Sequence, residues 1–446
     1  MSETPISRRR VLASTALALA AWTMPRRALA ASPVAATGPD GFRVLTARPA
    51  SVALAGPKQP ATPVWSFDGT IPGPLLRVRR GDELRVRFRN GLPEPSTIHW
   101  HGVRVPNAMD GTALVQRPVP PGDSFDYRFT PPDAGTFWYH APLGTQIDRG
   151  LSGMLVVEET STVEVDREVA LAIGDWRLRA DGSLAGEPDR QDARAEAGSR
   201  LTVNGNAARD IPVRQNERLR LRLLNTTRAR LLAFAFGRQV VTVMALDGQP
   251  SEPFTARENR IALGPGNRVD LFLDVTLAPG TAAPIRVMAE DGSEMSVRLV
   301  CESAAPLRPA PLAPPKPLPA NALPQRMDFA GARRHDLRME NAAATASAGT
   351  RPEGPPLFTV KRNRTVALAL DNRTDSAQAV HVHGHHFRLL DRLDDGWKPF
   401  WLDTLVVPPR QTWRIAFVAD NPGKWMIDVT SLRQADADTG VWFEVT

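Results

Sequence analysis

Glu83-Leu84-Arg85-Val86-Arg87-Phe88-Arg89-Asn90 alternates charged and apolar residues, and nine residues beyond Asn90 stands His99-Trp100-His101-Gly102. Alternation with a period of two marks a strand with one buried face. The unit recurs. Thr365-Val366-Ala367-Leu368-Ala369-Leu370-Asp371-Asn372 is followed nine residues on by His381-Val382-His383-Gly384. Arg218-Leu219-Arg220-Leu221-Arg222-Leu223 leads to Asn225, with Phe234-Ala235-Phe236-Gly237 nine residues further. Aligned on asparagine, the outer copies carry His-x-His and the middle copy Phe-x-Phe.

Each copy continues with a Pro-led turn and another alternating strand. Pro121-Gly122-Asp123 precedes Phe125, Tyr127 and Phe129; Pro265-Gly266-Asn267 precedes Val269, Leu271 and Leu273; Pro408-Pro409-Arg410 precedes Trp413, Ile415 and Phe417. Short strands with regular Gly/Pro turns indicate an all-β chain of sandwiches. The spacing predicts domains over 31–160, 161–303 and 326–446, with a Pro-rich linker at 304–325 that is extended and semi-rigid. Residues 340–356, rich in Ala, Thr and Gly, read as a surface loop.

Ser7-Arg8-Arg9-Arg10 precedes the apolar run Val11 to Trp22, and Ala28-Leu29-Ala30 offers a small-x-small cleavage site. Residues 1–30 therefore read as a signal peptide, and the paired arginines suggest the twin-arginine export route to the bacterial periplasm. Beyond it, no apolar run reaches the ~18 residues of a membrane helix. The net charge of +7 falls to about +3 without the leader, and its scatter argues against nucleic acid. That residual charge is expected on solvated strand faces. The single cysteine, Cys301, cannot pair internally and reads as a small core thiol.

In a strand, residues two apart face one way. His99 and His101 then share a side, as do His381 and His383, and two such pairs in apposition present four imidazoles. Imidazole suits copper, zinc, iron and nickel. His335, in a polar segment, is expected at the surface. His385 should face the same side as His383 but serve in packing.

Together these motifs resemble the multicopper oxidases, the laccase-like family. The resemblance rests on Thr97-Ile98-His99-Trp100-His101-Gly102, Asp110-Gly111, Gly135-Thr136-Phe137-Trp138-Tyr139-His140 and Gly150-Leu151-Ser152-Gly153 in the first copy. It rests on Val203-Asn204-Gly205 and Asp247-Gly248-Gln249-Pro250 in the second, and on His381-Val382-His383-Gly384-His385 and Asn421-Pro422-Gly423-Lys424-Trp425 in the third. It implies three consecutive cupredoxin-like Greek-key β-sandwich domains. It also implies a type 1 copper that takes electrons from substrate, and a trinuclear copper cluster between domains 1 and 3 that reduces dioxygen.

The chain departs from that pattern. His99, His101, His140, His381 and His383 match cluster ligands. Pro142, Asp428 and Thr430 stand where further histidines belong, with Asp428 a candidate oxygen ligand. The type 1 positions fall on Gln378, Val429 and Gln434, with the axial position near Thr439 or Val441. Asp110 matches the acidic residue that the family places near the cluster for proton delivery; a turn aspartate before Gly111 is the other reading. The resemblance thus implies residual copper, type 2-like, on one or two ions at most, and no ordinary laccase activity. Two alternatives stay open: a copper-free periplasmic scaffold acting through a protein partner, like the cell-division protein of this fold, and a copper-dependent oxidoreductase. Neither the small-molecule substrate nor the partner is indicated.

Overall fold

Asn90, Asn225 and Asn372 each end a strand and do the same work there. Each side-chain amide donates to a carbonyl of the following loop: Glu94 O at 2.8 Å, Arg230 O at 2.8 Å and Ser376 O at 2.9 Å. Each also donates across to a neighbouring segment, at Val119 O, Leu263 O and Val407 O. Each side-chain oxygen accepts the N–H two residues on, at Leu92, Thr227 and Thr374. Such an Asx turn fixes where the strand stops. The computed structural model describes residues 38–56, 58–185, 198–340, 352, 354–390, 398–433 and 439–446. The expected signal peptide, Gln434 and most of the 340–356 loop lie outside them.

The same sheet is built around each asparagine strand. Leu84–Asn90 lies between the parallel strand Arg43–Val52 and the antiparallel strand Ser124–Phe129. Arg218–Asn225 lies between Arg167–Leu178 and Arg268–Asp274, and Arg364–Asn372 between Arg333–Met339 and Thr412–Ala419, with the same senses. A second sheet completes each sandwich. Among the described residues the pairs have four and four, six and five, and four and five strands. The Pro-led turns also correspond: Gly122 and Gly266 take φ of 84° and 79°, and Arg410 adopts φ 58° at the matching place.

The middle copy breaks one expectation. In the first copy Ile98 and Trp100 point into the core, and in the third Val380 and Val382 do, leaving the histidines on the other face. In the second copy Leu232, Phe234 and Phe236 point into the core. Phe-x-Phe is therefore on the opposite face from His-x-His. The cause is one extra residue in the loop: the asparagine amide reaches the carbonyl four residues on in the outer copies and five on in the middle. A one-residue shift moves every side chain to the other face of a strand. Ala235-Phe236-Gly237 is the true counterpart of His99-Trp100-His101.

The arginine face of the middle copy is not solvated either. Leu84–Asn90 alternates buried and outward residues, but Arg218–Asn225 is buried throughout. Buried guanidiniums need partners, and each has one. Arg218 forks onto Asp274 at 2.6 and 2.8 Å. Arg220 meets Asp270 and Glu159, and Arg222 meets Asp270 and Glu168. Domain 1 joins the network where Thr136 Oγ1 donates to Asp270.

The 304–325 segment has no regular structure and is pinned along its length. Arg218 donates to Ala313 O, Leu318 packs with Met244, Ala245 and Phe272, and Asn321 donates to Ala134 O and to Gln249. His335, expected at the surface, is half-buried on Arg333–Met339 and stacks on Phe358 at 4.4 Å. Cys301 is buried in the middle core, as expected.

Candidate metal centre

Strand pairing brings the histidines together. In the first sandwich His99 pairs with His140 and His101 with Trp138 on Gly135–His140. In the third, His381 pairs with Asp428 on Gly423–Ser431 and with Thr404 on Thr404–Val407. The two hairpins meet face to face. His99 Nε2 lies 3.3 Å from His381 Nε2, and the rings of His101 and His381 stack at 3.6 Å. All five predicted histidines converge, four of them buried and His140 half-buried.

The backbone sets the tautomer of the central pair. His99 Nδ1 lies 3.0 Å from Asp110 O, and His381 Nδ1 3.0 Å from Asp403 O. A carbonyl only accepts, so both Nδ1 atoms carry a proton, and in the neutral ring it is Nε2 that presents the lone pair. Gly111 lets the Asp110 turn come this close: a Cβ there would lie 1.8 Å from Ile98 O. Burial pushes His381 down to about 4 and, with neighbouring imidazoles, holds His101 and His140 well below the ordinary histidine range. These rings are neutral at pH 7, the form in which imidazole binds metal.

His383 differs. Its Nδ1 faces both oxygens of Asp110, at 3.3 and 3.1 Å, and its Nε2 faces Asp428 Oδ2 at 2.9 Å. Burial would lower its pKa, but the two carboxylates outweigh that and push it up to about 10. Burial would likewise raise Asp110, yet His383 and His99 hold its carboxyl below the usual range. Asp428 therefore serves as the counter-ion of His383, and among the described residues its Oδ1 is buried without a hydrogen-bond partner.

Three residues with no motif support the site. Asp403 is fully buried and forks onto Arg268 of the middle sandwich, with Arg268 Nη1 at 2.8 Å from Oδ1. It also lies 3.4 Å from His101 Nε2 and 3.5 Å from His381 Nδ1. Burial opposes its ionisation, but Arg268 holds it well below the usual carboxylate range. Thr404 Oγ1 is 2.9 Å from His101 Nε2 and 3.1 Å from His381 Nδ1.

Pro142 and Thr430 line the same small cavity as His101, His140 and His381, and the other predicted positions lie elsewhere. The strand Gln378–Val382 ends before His383, so alternation does not carry to His385, which packs among Phe417, Trp425 and Phe443. His386 meets Gln249 and Asp403. Gln378 is buried, and its amide donates to Thr374 Oγ1 and Ser376 Oγ, each at 2.9 Å. Val429 is buried beside it, on the strand that pairs with Gln378.

The donors fit a transition-metal ion. Two ring nitrogens 3.3 Å apart are brought together comfortably by a shared cation, a proton or a metal ion. Two nitrogen–metal bonds of about 2.0–2.1 Å at a tetrahedral angle place their nitrogens about 3.3–3.4 Å apart. Each ring donates its other N–H to a carbonyl, the usual support of a ligating histidine. Among the described residues His140 Nε2 is buried with no hydrogen-bond partner. His99 groups with His381 and His383, and also with His101 and His140, at metal-binding separations.

The chain matches models described as multicopper oxidase over residues 50–162, 167–281 and 320–446. It is 30% identical over 440 residues to multicopper oxidase MmcO of Mycobacterium tuberculosis, covering 86% of this chain and 82% of that one. Its structure is similar to that of a multi-copper oxidase from Pseudomonas thermotolerans, with a TM-score of 0.80 and 32% identity over 90% of this chain and 98% of that chain. It is also similar to Lac15 from a marine microbial metagenome, with a TM-score of 0.76 and 31% identity over 93% and 100% of the two chains. With its three cupredoxin-like sandwiches and converging histidines, the chain belongs to the multicopper oxidase family, a copper-binding family of oxidoreductases.

Proposed function

We propose that this protein is a divergent member of its family with a reduced centre, holding at most two copper ions between its first and third domains. The observation that carries this reading is the facing pair His99 Nε2 and His381 Nε2 at 3.3 Å, each ring tied through Nδ1 to a carbonyl. His140, with its unpartnered Nε2, and His101 stand beside the pair as further ligands. A bound copper ion would supply Lewis acidity and one-electron redox chemistry there. The chain's own part is to hold the imidazoles in place through Asp110 O, Asp403 and Thr404. In this reading Asp110, ionised between His99 and His383, would guide a proton to or from those rings.

Ordinary laccase turnover is outside this proposal. A blue-copper site needs a thiolate, and the single cysteine is in the core of the middle sandwich. We assign residues 1–30 to an export signal, the domains to 31–160, 161–303 and 326–446, and the working compartment to the periplasm. A copper-free scaffold acting through a protein partner is the second reading. It is favoured by His383, both of whose nitrogens already have carboxylate partners. Copper loading followed by chelation, metal analysis and electron paramagnetic resonance separates the two. Retained copper with a type 2 signal supports the first reading, and a metal-free folded protein the second. Rapid phenol or cuprous-ion oxidation would refute the loss of oxidase chemistry.

A further inference from the structure

A cavity of about 490 Å³ opens where Arg43–Val52 and Thr62–Phe67 of the first sandwich meet Arg167–Leu178 of the second. That volume suits a small organic ligand. Its walls combine an indole, Trp65, with the apolar side chains Val64 and Leu184 and the guanidiniums of Arg149 and Arg177.

The charges there are unbalanced. Arg149 lies over the Trp65 ring at 4.2 Å, and among the described residues neither Arg149 nor Arg177 forms an ion pair. Among the described residues Arg177 Nη1 is buried without a hydrogen-bond partner, and a desolvated donor left unsatisfied is costly. The acids of the cavity do not compensate, because Asp175 is held by Arg230 at 2.7 Å and Asp148 faces Arg228 at 3.5 Å. An acceptor is wanted at Arg177, and a flat face beside the Arg149–Trp65 stack.

From this we infer that the cavity binds a planar aromatic carboxylate, its carboxylate on Arg177 and its ring along Trp65 and Arg149. Guanidinium matches carboxylate in a paired, charge-assisted geometry. The site adjoins the metal centre: the segment 141–149 and Arg228 line both this cavity and the one of about 100 Å³ that reaches His101, His140 and His381. The inference stands whether or not copper is held.

Calorimetric titration of the purified full-length chain tests it, with 4-hydroxybenzoate as probe and phenol and cyclohexanecarboxylate as controls. 4-Hydroxybenzoate should bind at least about tenfold more tightly than either control, since each lacks one of the two recognised features. Arg177→Gln and Arg149→Gln should each weaken it about tenfold, with Arg177→Lys in between. Arg149 is exposed, so its variant keeps the test valid if Arg177→Gln fails to fold. Equal affinity for phenol, unchanged binding in folded Arg149→Gln, or no binding of 4-hydroxybenzoate would overturn the proposal.

Discussion

In the first sandwich His99 pairs across the sheet with His140; in the third, His381 pairs with Asp428. Each hairpin presents one Nε2 to the other. The exchange changes the role of a third residue. His140 leaves its Nε2 without a partner, whereas Asp428 binds Nε2 of His383. One side of the site thus keeps open donors, and the other has a closed ion pair. Ligands can be present in number and still be committed to one another.

The largest break in this comparison should come from the ligands. His99→Ala or His381→Ala should lower copper affinity by more than about 100-fold. His140→Ala should lower it about 10–100-fold, and Asp428→Ala by less than about tenfold. Competition with a chelator of known affinity reads all four. Equal losses at His140 and Asp428 would erase the asymmetry.

Next is the support that both hairpins share. Asp403→Asn leaves the fully buried Arg268 with Asp247 as its remaining ion-pair partner and should destabilise the metal-free protein by about 2–3 kcal/mol in urea unfolding. A change below about 1 kcal/mol would mean that the middle sandwich does not brace the centre.

The third prediction uses pH. In the metal-free protein His383 is pushed up to about 10, from an ordinary value of 6.5. A raised folded-state pKa gives stability that is complete below about pH 6.5 and lost as the pH climbs through about 10. Stability should fall by about 1 kcal/mol per pH unit between about pH 7 and pH 10. Asp428→Asn should flatten that slope, and an unchanged slope would contradict the ion pair. Smallest is Thr404→Val. It removes the hydroxyl that touches His101 and His381, for a loss of about 1–2 kcal/mol by thermal or urea unfolding.

Much of this was legible in the sequence because it is local. Alternation around Asn90, Asn225 and Asn372 gave the strands, and the His-x-His spacing gave the floor of the site. The family pattern marked Asp428 as standing where a histidine belongs, and strand pairing then sets it opposite His381. What was hidden depends on distant neighbours. The face of Phe234 turned on one loop residue after Asn225. The burial of Arg218, Arg220 and Arg222 depends on a domain and a linker far along the chain. Asp403 and Thr404 carry no motif, and only Arg268, 135 residues away in sequence from Asp403, reveals their place.

The central claim is that a reduced copper centre is built on His99 and His381. Copper content and electron paramagnetic resonance of the loaded, chelator-washed protein test it most directly, with His99→Ala and His381→Ala alongside. The account predicts one ion per chain, two at most, with a type 2 signal that each variant abolishes and no intense copper–thiolate absorption. A folded protein that keeps no copper, or one whose copper survives both substitutions, would contradict it.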